Sequence, residues 1–168
     1  MRRAVLYITI FFALCFGFKA QSQNAVTEYD VKLNSLQNSS REILNNFING
    51  PQSSAFVNDD QQPKIYVRSG ENINTLFLKK PSDFTLITQD YANEISTIKV
   101  LNIEWNGSDV FNFPNNLLSI LPNLEYVYVR SYQNLSKQTI ETNFQNLLAL
   151  LSSKSGVEVL YLTMEQPQ

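Results

Sequence analysis

A recurring aliphatic spacing in the C-terminal half narrows the possible folds more than any other feature of the chain. "ISTIKVLNI" sets Ile95, Ile98, Leu101 and Ile103 at the same offsets as Leu121, Leu124, Val127 and Val129 in "LPNLEYVYV". "INTLFL" repeats the last three positions with Ile73, Leu76 and Leu78, and "VEVLYL" does so with Val157, Leu160 and Leu162. The third aliphatic position therefore falls at 76, 101, 127 and 160, in steps of 25, 26 and 33 residues. Self-similarity at a period of roughly 20 to 35 residues marks units that cannot bury their own apolar face and must be covered by a neighbour.

The segments between these runs have helical spacing. "SDVFNFPNNLLSIL" offers Pro114 at a helix start with Leu117, Leu118 and Leu121 on one face. "SKQTIETNFQNLLALLSS" carries a stripe of Ile140, Phe144, Leu147, Leu148 and Leu151, with Gly156 available to end the helix in a left-handed conformation. Strand and helix in alternation predict an α/β fold, with a parallel sheet of three to four strands and helices on its outer face. The first repeat allows two readings, since Ile73, Leu76 and Phe77 also sit at helical spacing; strand is preferred.

The pattern L-x-x-L-x-x-L-x-L over residues 70 to 164 resembles the leucine-rich repeat, in which each unit contributes one short parallel strand. The resemblance implies a short solenoid that holds partners on its open sheet face. Members of that family usually follow the strand with an Asn whose side chain satisfies the turning backbone. Only Asn106 stands at that place; Pro81, Tyr132 and Glu165 occupy the others, so those turns must close differently. The basic start Met1-Arg2-Arg3 with the apolar run after it, and the Asn-rich repeats, also resemble uncharacterised secreted proteins of the Bacteroidetes.

Strand alternation sends the residues between the aliphatic positions to the other face. The columns expected there are Thr75, Val100, Tyr126 and Val159; Phe77, Asn102, Tyr128 and Tyr161; and Lys79, Glu104, Arg130 and Thr163. Lys79, Glu104 and Arg130 would alternate in sign on strands about 4.8 Å apart. An aromatic band flanked by charge has the composition of an interaction surface, while sheet packing alone accounts equally for strand-forming aromatics. Trp105, the single tryptophan, reads as a wedge sealing the end of its strand or as a sugar-stacking platform. The expected binding residues are Phe77, Lys79, Glu104, Trp105, Tyr126, Tyr128, Arg130 and Tyr161.

Ahead of the repeats, residues 23 to 38 read as polar and loosely held. "NSSREILNNFINGP" reads as a helix with a Ser39 to Glu42 capping box, closed by Gly50 and Pro51. "AFV" and "KIYV" flank the turn "NDDQQP", giving a hairpin or two edge strands, with Pro63 opening the second. The last strand, near Tyr161 and Met164, is expected to be an open edge in need of cover. Three stretches follow: a signal peptide at 1–22, an N-terminal helix and capping region at 23–69, and the repeat-like domain at 70–168.

The signal peptide is read from the basic start Met1-Arg2-Arg3, the apolar run "AVLYITIFFALCFG", and Ala20 and Ser22 before a cut. A retained anchor is the competing reading, although a run of about 14 residues is short of the roughly 20 that span a bilayer. The only cysteine, Cys15, lies in that run, and Leu14 before it departs from a lipoprotein signal. Cleavage would leave 13 − 3 = 10 basic residues against 15 acidic ones, a net charge of −5. Such a surface excludes nucleic acid as a partner, because phosphate binding needs clustered Lys and Arg.

Reactive chemistry is sparse. The chain has no histidine, the commonest base and transition-metal ligand. Asp59 and Asp60 read as a solvated turn, "SDF" and "SDV" as helix starts, and the five glycines are scattered singly. No cofactor or metal is expected. The sequence points first to an exported, non-catalytic module binding a protein or glycan. The alternative is an envelope assembly protein that self-associates through an open strand edge, and a hydrolase using carboxylates alone comes third.

Overall fold

The computed structural model describes residues 25–166. The leader expected over 1–22, with Cys15, lies outside them. The described chain is α/β, built on one seven-stranded sheet. Its strands are β1 (Val26–Glu28), β2 (Ser54–Val57), β3 (Pro63–Tyr66), β4 (Thr75–Leu78), β5 (Val100–Glu104), β6 (Tyr126–Ser131) and β7 (Glu158–Thr163). They lie in the order β1-β7-β6-β5-β4-β2-β3, all parallel except β3, which pairs antiparallel with β2.

The aliphatic repeat sets the register of the centre. Leu76, Leu101 and Val127 are successive partners across β4, β5 and β6, as are Leu78, Ile103 and Val129. "INTLFL" is accordingly a strand. These side chains are shielded from water and pack against helices α3 (Pro81–Tyr91), α4 (Leu117–Ile120), α5 (Lys137–Asn143) and α6 (Gln145–Leu151) and a 3₁₀ turn at Glu94–Thr97. Phe84, Ile87, Leu117, Ile140, Phe144 and Leu147 supply the helix side of this core.

Two expected helices are shorter than their apolar spacing suggests. "SDVFNFPNNLLSIL" forms only the four-residue α4, because Phe111 and Phe113 enter the core from irregular chain, with the Phe113 N–H donating to Asn146 Oδ1 at 2.8 Å. The last helix divides at Phe144, and its first half is capped by Ser136 Oγ accepting from the Thr139 N–H.

The other sheet face is not open, and this corrects the expected solenoid surface. Residues 23 to 38, read as loose, supply β1 and helix α1 (Tyr29–Ser35), and α2 (Asn38–Asn49) follows. Tyr29, Leu44 and Ile48 bury Val100, Tyr128 and Leu160, with Leu33, Leu36 and Phe47 at the margin. The layers are helix, sheet, helix. From β1 the chain crosses the sheet to β2, then returns in order through β4, β5, β6 and β7. Crossovers of one hand travelling in opposite directions put their helices on opposite faces. The Ser39 to Glu42 capping box is absent: α2 starts at Asn38 with no side-chain cap, and Arg41 Nε instead donates to the Leu33 carbonyl at 2.9 Å.

The fourth repeat is out of step by one residue. Val127 pairs with Val159, Tyr128 with Leu160 and Val129 with Tyr161. Val157 and Val159 therefore face the main core, while Leu160 and Leu162 face α1 and α2. A slip of one residue exchanges the two faces of a strand, and "VEVLYL" is apolar enough on both sides to conceal it. Nor is β7 an open edge, since β1 pairs with its far side through Val26 and Val159. The sheet edges are β1, of three residues, and β3, of four, where Pro63 has no N–H to offer and Lys64 follows.

The strand ends close individually, as the missing asparagines require. Asn106 Oδ1 accepts from the backbone N–H of Ser108 at 3.0 Å and of Asp109 at 2.9 Å. After β6, Ser131 Oγ accepts from the Gln133 N–H at 3.0 Å. After β4, buried Asp83 reaches back from α3 so that Oδ2 accepts from the N–H groups of Lys79 and Lys80 at 2.8 and 2.9 Å. No described helix is long and apolar enough to cross a membrane.

Candidate binding cleft

A cleft of about 370 Å³ opens beyond the carboxyl ends of β4, β5 and β6, beside the β2–β3 hairpin. Its position follows from topology. At β2 the chain turns outward into an antiparallel hairpin, while at β4 it turns inward to α3, so the two neighbouring strand ends diverge. Crevices at the carboxyl ends of parallel strands are where such sheets commonly hold ligands.

Phe77 of β4 lies on the cleft wall, with the Arg130 guanidinium carbon 5.9 Å from its ring centroid. Arg130 Nη2 donates to Glu104 Oε2 at 2.9 Å, joining the ends of β5 and β6 as their register requires. Lys79 stands on the same wall and makes no ion pair among the described residues. Phe56 and Asp59 approach from the hairpin. The Lys79, Glu104 and Arg130 row expected from sequence thus exists, at the sheet end rather than across a broad open face.

Three buried side-chain atoms on this sheet face have no hydrogen-bond partner among the described residues: Thr75 Oγ1, Asn102 Oδ1 and Arg130 Nε. Asn102 sits between Phe77 and Tyr128 in the register, at the seam where cover by α1 and α2 gives way to the cleft. Each of these atoms is enclosed by protein, so none of them is a surface that a ligand in the cleft would touch.

The remaining expected residues lie elsewhere. Tyr128 is 1% exposed and stacks obliquely on Tyr29, so it belongs to the second core. Burial, then the neighbouring Tyr29, push its hydroxyl pKa well above the usual tyrosine value. Trp105 is also buried, in edge-to-face contact with Phe144, and its Nε1–H donates to the Asp109 carbonyl at 2.8 Å. It is the wedge, not an exposed platform. Tyr161 packs at the margin of the helix-side core, on the opposite face from Tyr128.

Tyr126 lines a separate hollow of about 510 Å³ at the amino ends of β6 and β7, beneath α2. Its ring meets Phe47 edge-on at 5.8 Å. Burial, then Glu158, raise its pKa. Ion pairs border this hollow, Lys32 with Glu158 at 2.6 Å and Lys99 with Glu125 at 2.9 Å.

The sequence did not single out Phe56, Asp59 and Asp83 as site residues. Asp59 read as a solvated turn and Asp83 as a helix start, and each description is locally accurate. What brings them to Phe77 is the pairing of β2 with β4, a contact that no local pattern announces. Among the described residues, no group of three or more His, Cys, Asp or Glu side chains is placed to hold a metal ion.

No protein-family model, curated protein or solved structure matches this chain.

Proposed function

We propose that the protein is an exported, non-catalytic binding module that takes a protein or glycan partner in the cleft at the carboxyl ends of β4, β5 and β6. The observation carrying this reading is the convergence of Phe77, Lys79, Glu104 and Arg130 on one concavity. An apolar wall with a few fixed polar groups is the usual constitution of a binding pocket, and the volume falls within the roughly 300 to 1,000 Å³ typical of small-ligand sites. Export is inferred from the leader.

The absence of catalysis is inferred from how the acidic groups are engaged. Glu104 is paired with Arg130 and Asp83 accepts two backbone N–H groups, which leaves Asp59 without a second free carboxylate in the cleft to work with it. The equal offsets of β4, β5 and β6 support a leucine-rich-repeat-like origin for this part of the sheet. With α1 and α2 over the broad face, its partner surface contracts to the strand ends.

The test is capture from a native envelope extract by immobilised mature protein. Phe77→Ala combined with Lys79→Glu should abolish capture while circular dichroism shows the variant still folded. Undiminished capture by that variant would overturn the assignment to this cleft.

A further inference from the structure

From the cleft's mixed hydrogen-bonding character, we infer that its occupant is a neutral saccharide of one or two rings; the inference rests on the cleft being the binding site proposed above. The polar groups available there are of both kinds. Lys79 offers only donors and Asp59 only acceptors, and both line the opening. Arg130 donates to Glu104 on the same wall, and Glu104 keeps its other carboxylate oxygen as an acceptor.

A carboxylate ligand would satisfy donors and oppose Asp59 and Glu104. An ammonium would satisfy acceptors and oppose Lys79 and Arg130. A hydroxyl donates and accepts at once, so a polyol matches both sets without a charge clash, as a neutral amide also does. The apolar half of the site points the same way. Phe77 and Phe56 give the cleft aromatic area, against which the C–H face of a pyranose can lie.

Size limits the ligand as well. At about 370 Å³ the cleft is near the small end for ligand sites, which suits a monosaccharide or disaccharide, or the end of a longer glycan. The Arg130 and Glu104 pair would serve as a fixed fork, with the guanidinium held over Phe77 and the second carboxylate oxygen free to accept from a sugar hydroxyl.

Isothermal titration of the mature protein would test this with cellobiose, maltose, lactose and N,N′-diacetylchitobiose, set against a uronic-acid disaccharide and a tripeptide panel. At least one neutral disaccharide should bind in the millimolar range or tighter. Phe77→Ala and Glu104→Gln should each weaken that binding at least tenfold, and Lys79→Ala, an exposed change that leaves the core intact, by a few-fold. If only tripeptides or the uronate bind, and Phe77→Ala abolishes that binding, the saccharide inference fails while the cleft stands. If a sugar binds and none of the three variants weakens it, both the inference and the cleft are wrong. Failure of every panel member to bind at tens of millimolar would overturn the saccharide inference alone, leaving the capture experiment to judge the cleft.

Discussion

The rings of Tyr29 and Tyr128 lie 5.1 Å apart, inclined at 49° to one another, and join helix α1 to the centre of the sheet. The Tyr29 hydroxyl donates to Asn45 Oδ1 and accepts from Asn49 Nδ2, both at 2.9 Å, so the same pair also fixes α2. Through this contact the N-terminal segment becomes a layer of the fold. It also decides which aromatic residues remain accessible to a partner.

Tyr128→Ser should therefore destabilise the fold severely. Removing a buried ring typically costs about 3–5 kcal/mol, and Tyr128 is fully enclosed. Urea denaturation would show the loss as a lowered midpoint, whereas Tyr128→Phe should keep most of the stability at neutral pH.

Alkali should unfold the protein through the same tyrosines. The folded-state pKa values of Tyr29, Tyr126 and Tyr128 are all raised, chiefly by burial. Above a pH of about 10 the unfolded chain releases these protons while the folded chain keeps them, so stability is complete below that pH and declines as pH rises through it. Circular dichroism across an alkaline titration should show the decline, and Tyr128→Phe should make it shallower.

Trp105 should report burial directly. As the only tryptophan, enclosed and hydrogen-bonded, it should emit at short wavelength, resist acrylamide quenching, and shift to the red on unfolding. Trp105→Ala should cost about 3–5 kcal/mol, as buried aromatic truncations do.

The Glu104 and Arg130 pair should matter little for stability. Both side chains are about a third exposed, and pairs of this kind contribute about 0–1 kcal/mol. Glu104→Gln should then leave Tm almost unchanged, making any effect on ligand binding a matter of recognition.

The legibility of this fold in the sequence varied with how asymmetric each strand is. In β5, apolar Leu101 and Ile103 alternate with Asn102 and Glu104, so register and facing could be read directly. "VEVLYL" lacks that contrast, because β7 is covered on both faces, and Tyr161 was accordingly assigned to the wrong one. The Tyr29, Leu33 and Leu36 stripe stands at helical spacing, hidden in a segment whose Gln and Asn content suggests a loosely held start. The charged row of the cleft was legible because strand offsets carry it. The hairpin wall was not, since pairing between β2 and β4 depends on the whole sheet.

The most direct measurement of the covered sheet is a nuclear Overhauser spectrum of the protein. Cross-peaks between the Tyr29 and Tyr128 rings, and from the Leu44 and Ile48 methyls to Tyr128, are predicted. Their absence, with the Tyr128 ring open to a soluble paramagnetic agent, would contradict the second helical layer and return the aromatic face to solvent.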